Sequence, residues 1–412
     1  MSSRLEAEHL YKVFGRRPAV SVQRLRDGAD REELRADGTT AAVIDASFTV
    51  EPGQIFVVMG LSGSGKSTLL RMLNGLLEPT AGAVRFDGQD LTGLTPRALR
   101  DVRARKISMV FQHFALFPHR SVLENAGYGL AVQGVARAER ERRAAEALAL
   151  TGLEGWEKSW PDELSGGMQQ RVGLARALAT NADLLLMDES FSALDPLIRR
   201  DMQDQLLTLQ RTLKKTIVFI THDLNEAMRL GDRIAVMRDG EIVQNGTAED
   251  ILLRPANDYV ASFIQDVDRS RVLTAEAVMD TELRGDEADC RCPTAAPGTP
   301  FNELCALSAR LPHPVAVLRD RELVGVVPRQ RLVALVGDER GPVEPCGTPR
   351  GPGDPSSPGG SSDPSSPGDP SSPGGSSDPN SPGGSSGPRS PHSGEDRPGR
   401  EDQGGEKVIA RA

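Results

Sequence analysis

The sequence predicts an α/β fold in which a mostly parallel sheet is layered with helices, and three observations predict it. Ile55 to Met59 is an unbroken apolar run, the pattern of a strand buried on both faces, and it leads directly into a glycine-rich loop and then a helix. Leu184 to Met187 and Thr216 to Ile220 are two further buried runs. Helical stretches lie between these strands, and such alternation is how parallel sheets are built.

The elements follow in order. Residues 1–15 open with a strand-like segment ending in Tyr11-Lys12-Val13-Phe14-Gly15. Residues 16–40 are polar and highly charged and read as an insertion or helical excursion. From Ala41 an alternating pattern returns through Ala42, Val43, Ile44, Phe48 and Val50, and Glu51-Pro52-Gly53 forms a turn. Residues 119–180 read mainly as helices, Ala136 to Leu150 among them, and are expected to form a helical subdomain inserted between sheet elements. Beyond about residue 266 the character changes. Residues 272–336 hold a smaller α/β unit with strand-like runs at Pro314–Leu318 and Leu323–Val327. From about 340 the chain is Pro, Gly, Ser and Asp, with Asp-Pro-Ser-Ser-Pro-Gly recurring from Asp354. That composition buries too little apolar surface to offset the entropy of ordering, so a disordered tail is expected. The domain division is therefore 1–265, 266–340 and 341–412.

A chain of 412 residues accommodates two or three domains. Its net charge of −9 argues against a generic nucleic-acid binder, which needs a basic face. The basic run Arg103, Arg105 and Lys106 reads as a solvated helix face. All four cysteines (Cys290, Cys292, Cys305, Cys346) lie in the last third, so a reduced chain without a disulfide framework is expected. Cys290 and Cys292 are too closely spaced for the usual zinc pair. No signal-peptide pattern opens the chain, and no apolar run approaches the ~20 residues of a membrane helix. Any role at a membrane is expected to come through a partner.

The strongest chemical signal is Gly60-Leu61-Ser62-Gly63-Ser64-Gly65-Lys66-Ser67-Thr68. It fits G-x-x-x-x-G-K-[ST] and sits between an apolar strand and a helix, the context this phosphate loop requires. Its glycines let backbone N–H groups curl around phosphate oxygens, and the helix N-terminus adds positive potential. Lys66 is expected to reach the β- and γ-phosphates and the Ser67 hydroxyl to ligate Mg²⁺. Leu184-Leu185-Leu186-Met187-Asp188-Glu189 places two carboxylates at the end of a buried strand. Asp188 suits Mg²⁺, a hard cation that prefers oxygen, and Glu189 suits the polarisation of an attacking water.

Those two motifs are shared by many NTPases. A third is Leu164-Ser165-Gly166-Gly167-Met168-Gln169-Gln170-Arg171, which precedes the helical run Val172–Ala179 and so forms another anion cradle at a helix N-terminus. Alone, Ser-Gly-Gly is a turn. At this position before the Asp188–Glu189 strand it resembles the LSGGQ signature of the ABC ATPases, with Met168 in the place of the final Gln.

That resemblance covers residues 1 to about 265 and implies a P-loop NTPase fold of ABC type, binding ATP and Mg²⁺. It implies a homodimer, or paired ATPase subunits, with each of two ATP molecules sandwiched between one phosphate loop and the partner's signature. Ser165, Gly166 and Gly167 would then act on the partner's nucleotide. Gln112, in Val110-Phe111-Gln112, matches the Q-loop and would sense Mg²⁺ and the γ-phosphate. Ser192-Ala193-Leu194-Asp195 matches the dimer-facing D-loop. His222, in Ile220-Thr221-His222-Asp223, matches the switch histidine. Phe14 matches the aromatic that stacks on adenine, with Tyr11 as its competitor. Ser190 departs from the Ala or Pro that many relatives carry after the catalytic Glu.

The stretches Phe111–His119, Phe191–Arg199 and Pro255–Val260, together with the charged insertion before Ala41, are similar to the glycine betaine/proline (quaternary amine) uptake ATPases. The resemblance implies an ATP-hydrolysing importer subunit at the cytoplasmic face of the plasma membrane. It would be held there by integral-membrane permease subunits and served indirectly by a solute-binding protein. That family follows its ATPase domain with two CBS modules; residues 272–336 resemble one. Two other readings stay open: an importer ATPase for another small polar solute such as an amino acid, and a soluble ABC ATPase acting on ribosomes or DNA. Against the second stand the single phosphate loop, the absence of a long heptad run between Lys66 and Ser165, and the acidic charge.

Overall fold

The three apolar runs form adjacent strands of one six-stranded sheet. In the computed structural model, which describes residues 4–112, 114–265, 267–281, 292–310 and 313–336, its order is Glu241–Gly246, Arg233–Arg238, Ile55–Met59, Thr216–Thr221, Leu184–Asp188, Ile107–Val110. All neighbours pair in parallel except the hairpin of Arg233–Arg238 with Glu241–Gly246. Every residue of Ile55–Met59 and of Thr216–Thr221 is buried, which is why these strands carry no polar alternation.

A second, antiparallel sheet has the order Thr40–Val50, Leu5–Phe14, Ala81–Phe86, Gln89–Asp90. Its inward residues Leu5, Leu10, Val43 and Phe48 share a core with Phe56, Val58 and the helix Lys66–Leu73. The charged stretch between the first two long strands folds as two short helices, Pro18–Arg26 and Arg31–Ala36. Asp30 caps the second, and Leu34 and Val22 bury against Tyr11, Val13 and Ala41.

Residues 122–179 form the expected helical layer. Helices Val122–Ala126, Tyr128–Val132, Arg137–Leu150 and Gly166–Ala179 enclose their own core of Val122, Leu130, Leu148, Leu164 and Val172. Ser121 opens the first of them with a capping box closed by Glu124.

Residues 294–336 form a three-stranded sheet of Thr294–Ala295, Val315–Arg319 and Glu322–Val327 with helices Phe301–Arg310 and Arg329–Val336. Val315–Arg319 and Glu322–Val327 are an antiparallel hairpin, as the two apolar runs predict. Packing is continuous across residue 265: Ile251, Val260 and Ile264 share one hydrophobic core with Leu273, Val278, Phe301 and Val315. The Thr274 hydroxyl also donates to Glu249 at 3.0 Å. Among the described residues no helix is long and apolar enough to cross a membrane. The Pro/Gly/Ser/Asp-rich segment 341–412, Cys290 and Cys346, and His113 lie outside the described residues.

Candidate nucleotide site

Three neighbouring strands end at one edge of the parallel sheet. Met59 lies beside Thr221, and Asp188 beside Ile220. The phosphate loop, His222 and the Asp188–Glu189 pair therefore leave adjacent strands at their carboxyl ends, where open parallel sheets bind ligands.

Two glycines let the loop close. Gly60 has φ of 152° and Gly65 of 102°. A Cβ on Gly60 would lie 2.1 Å from the carbonyl oxygen of Met237, and one on Gly65 2.2 Å from that of Ala42. No side chain fits either position. Gly65 caps the helix Lys66–Leu73 without a side-chain hydrogen bond. The first N–H groups of that helix are thus left for an anion. Lys66 is 4% exposed, and its ammonium donates to the carbonyls of Gly60 at 2.8 Å and Leu61 at 3.0 Å. Burial pushes its pKa below the ordinary lysine value, and the charges of Glu189 and Asp188 pull it partly back. The Ser64 hydroxyl is buried with no hydrogen-bond partner among the described residues, whereas Leu61, Ser62 and Gly63 are exposed.

The Ser67 hydroxyl donates to Asp188 Oδ1 at 3.0 Å. Burial raises the Asp188 carboxyl above its usual range, against the pull of the Ser67 hydrogen bond. A half-buried carboxylate beside a hydroxyl is an oxygen donor set that fits Mg²⁺. Thr68 follows Ser67 in the first turn, half-buried.

Glu189 adopts a left-handed backbone with φ of 43°, a conformation that costs free energy for a residue with a Cβ. Three hydrogen bonds hold it. Its N–H donates to the Ile220 carbonyl at 3.0 Å, and its carbonyl accepts from Ser192 N–H at 3.1 Å and Ser192 Oγ at 2.8 Å. The result aims the carboxylate between two partners: His222 Nδ1 at 3.0 Å from Oε2, and Lys66 Nζ at 3.9 Å from Oε1. Gln112 Nε2 donates to the Ser192 hydroxyl at 3.4 Å, so it joins the same cluster through one side chain.

The other sequence-predicted residues lie apart from this cluster. Ser165 caps the helix Gly166–Ala179, accepting from Met168 N–H at 3.3 Å, and Ser165 and Gly166 are exposed. Gly167 sits so close to Ile198 that a Cβ would meet its Cγ2 at 2.6 Å. Met168 packs on the core of the helical layer, where an apolar side chain suits the site. Asp195 caps the helix Pro196–Leu213 by accepting from Leu197 N–H at 3.0 Å. The two candidate aromatics separate by burial. Tyr11 is 6% exposed, packs in a core and carries the Arg26 guanidinium over its ring, whereas Phe14 is 44% exposed. Phe14 pairs with Thr40 across the sheet, so their side chains share a face.

Sequence reasoning singled out neither Arg199 nor Glu226. Arg199 occupies the first turn of the helix Pro196–Leu213, where the macrodipole disfavours a cation; that mismatch was the available signal. Glu226 is 3% exposed and bonded to Gln203 and Thr221. The charged insertion also reaches this edge. Arg31 pairs with Asp239 at 2.8 Å, and Arg31 and Arg35 line a cavity of about 790 Å³ with Leu61, Ser62 and Gly63.

Residues 43–192 match the ABC transporter family. The glycine betaine transport ATP-binding protein OpuAA of Bacillus subtilis is 59% identical over 277 residues, 67% of this chain and 66% of that one. The glycine betaine/carnitine transport ATP-binding protein GbuA of Listeria monocytogenes is 52% identical over 336 residues, 81% of this chain and 83% of that one. Among solved structures, the dimeric post-hydrolysis state of an ATP-binding cassette bound to ADP and Pi is similar, with a TM-score of 0.50 and 32% identity. The likeness covers 59% of this chain and 98% of that one. With the phosphate loop, the paired carboxylates and the histidine brought to one edge of the sheet, this chain belongs to the family of ATP-binding subunits of ABC transporters.

Proposed function

We propose that this chain hydrolyses ATP to energise an importer of glycine betaine and related quaternary amines. The observation that carries the ATPase reading is the position of the Glu189 carboxylate, 3.0 Å from His222 and 3.9 Å from Lys66 at the mouth of the phosphate loop. The substrate class is supported by the relatives, whose names give glycine betaine as the transported solute.

ATP lies with its adenine on Phe14 and its phosphates in the cradle of Gly60 to Thr68. Lys66 turns from the Gly60 and Leu61 carbonyls to the β- and γ-phosphate oxygens. Ser67 and Asp188, with Gln112, would hold Mg²⁺, which would supply positive charge to offset that developing on the phosphates. Glu189 accepts a hydrogen bond from the attacking water and orients it in line with the γ-phosphate. His222 fixes the Glu189 carboxylate and contacts the γ-phosphate. Two copies face one another, so that Ser165, Gly166 and Gly167 of each close on the ATP of the other, with Asp195 at the interface. Closure then biases the permease between states, because ATP favours the closed pair.

The chain acts at the cytoplasmic face of the plasma membrane through permease subunits, and the solute is read by the permease and a binding protein. Residues 266–340 are read as a single CBS-like module. The test is uptake of labelled glycine betaine by vesicles carrying this subunit with its permease and binding protein. Uptake that requires ATP and is lost in Lys66→Ala is expected. Solute-stimulated hydrolysis with an amino acid and none with betaine would keep the ATPase and replace the substrate.

A further inference from the structure

We propose that Arg199 is a positioning residue that ties the loop after Glu189 to the segment carrying His222, and so sets the geometry of that pair. The proposal rests on the reading of Glu189 and His222 given above.

The contacts are explicit. Arg199 Nε donates to the carbonyl of Phe191, and Nη2 to the carbonyls of Ser192 and Leu194, each at 3.2 Å. Nη1 donates to Asp223 Oδ2, also at 3.2 Å. Both side chains are largely shielded, with 26% of Arg199 and 33% of Asp223 exposed. Each end of this bridge is one step from the reacting groups. Ser192, whose carbonyl Arg199 holds, donates twice to the Glu189 carbonyl. Asp223 follows His222 directly and caps the helix Leu224–Leu230 by accepting from Glu226 N–H at 3.1 Å. One guanidinium therefore spans the two segments that present Glu189 and His222.

The choice of residue follows. Only a planar fork of N–H donors serves three carbonyls and a carboxylate at once; an ammonium has the charge without the span. A cation in the first turn of a helix opposes the macrodipole, so its presence needs these acceptors to compensate. Because Glu189 is held in a left-handed conformation, it depends on neighbouring contacts to stay there. The loop 192–195 is also the segment read as facing the partner subunit. Contacts made there on closure are passed through Arg199 to His222.

The experiment compares Arg199→Met, Arg199→Lys, Asp223→Asn and the double variant Arg199→Met/Asp223→Asn in the assembled transporter. ATP hydrolysis, nucleotide affinity and thermal stability are measured for each. Misplacing reacting groups by about 1 Å costs up to ~100-fold in rate, so Arg199→Met should lower kcat at least tenfold. KM for ATP and the affinity for a fluorescent ADP analogue should stay within about threefold, since the phosphate loop is untouched. Arg199→Lys should be intermediate. The double variant should be no more than about twofold slower than Arg199→Met alone, because both remove one bridge. A kcat within twofold of wild type, a parallel loss of nucleotide affinity, or multiplicative effects in the double variant would each overturn the proposal. Glu189→Gln in the same assay separates the two readings. If it turns over normally, the assignment of Glu189 fails; if it is inactive while Arg199→Met is normal, only the positioning role fails.

Discussion

His222 Nδ1 lies 3.0 Å from Oε2 of Glu189, and that contact limits what the ring does next. An ionised carboxylate only accepts, so Nδ1 carries the proton. In the neutral ring Nε2 is then an acceptor. To donate to a phosphate oxygen, the neutral ring must release Glu189. Glu189→Gln removes the base and leaves the ring free of a charged partner. Hydrolysis should fall by at least ~100-fold, the scale of a general base, while ATP stays bound in a stable pair of subunits. Turnover assays and size-exclusion chromatography with ATP check this; turnover within a few-fold of wild type would refute the role.

Lys66 is buried and bonded to two carbonyls of its own loop. Lys66→Ala removes the cation that exchanges these carbonyls for phosphate. Affinity for a fluorescent ATP analogue should drop at least tenfold, about 1.4 kcal/mol, with the circular dichroism spectrum unchanged. Unaltered affinity would mean that the ammonium stays on Gly60 and Leu61 throughout.

Ser67 and Asp188 are joined at 3.0 Å. Asp188→Asn keeps the shape and removes the charge. The Mg²⁺ concentration giving half-maximal hydrolysis should rise about tenfold or more, as expected when a hard cation loses a carboxylate ligand. Binding of ADP without metal should not change. An unshifted Mg²⁺ titration would place the metal elsewhere.

Burial lifts the Glu226 carboxyl above the usual glutamate range, although hydrogen bonds from Thr221 and Gln203 oppose it. The folded state then holds its proton where the unfolded state has lost it. Stability from this group is present at acid pH and is lost as pH rises from the ordinary glutamate pKa through the raised one. Glu226→Gln should therefore gain stability relative to wild type across that window, followed by urea unfolding at several pH values. A difference that does not vary with pH would contradict the shift.

Phe301 is 1% exposed and belongs to the core that also contains Ile251 and Val260. Phe301→Ala should cost about 3–5 kcal/mol and lower a single thermal transition. Two separate transitions, with only the smaller one moved, would show that the segments unfold independently.

Much of this was legible because the informative signals are local. The runs Ile55–Met59, Leu184–Met187 and Ile217–Ile220 are apolar throughout, so their character as strands buried on both faces follows from composition. The glycines at 60 and 65 mark a loop that touches neighbouring backbone. Distant pairings were not legible. Arg31 meets Asp239 from more than two hundred residues away. Arg199 reads as one more helical arginine until the loop 191–194 folds back on it. Composition changes near residue 266, yet the packing does not, because apolar faces on both sides bury each other. Tyr11 and Phe14 differ in sequence by three positions and in exposure by the side of the sheet each one takes.

The most direct measurement is ATP hydrolysis by the reconstituted transporter with and without betaine-loaded binding protein, for the wild-type subunit and for Glu189→Gln. Hydrolysis that rises with betaine in the wild type and is abolished in the variant is the predicted result. Hydrolysis that survives in the variant, or that ignores betaine and responds to a different solute, would contradict it.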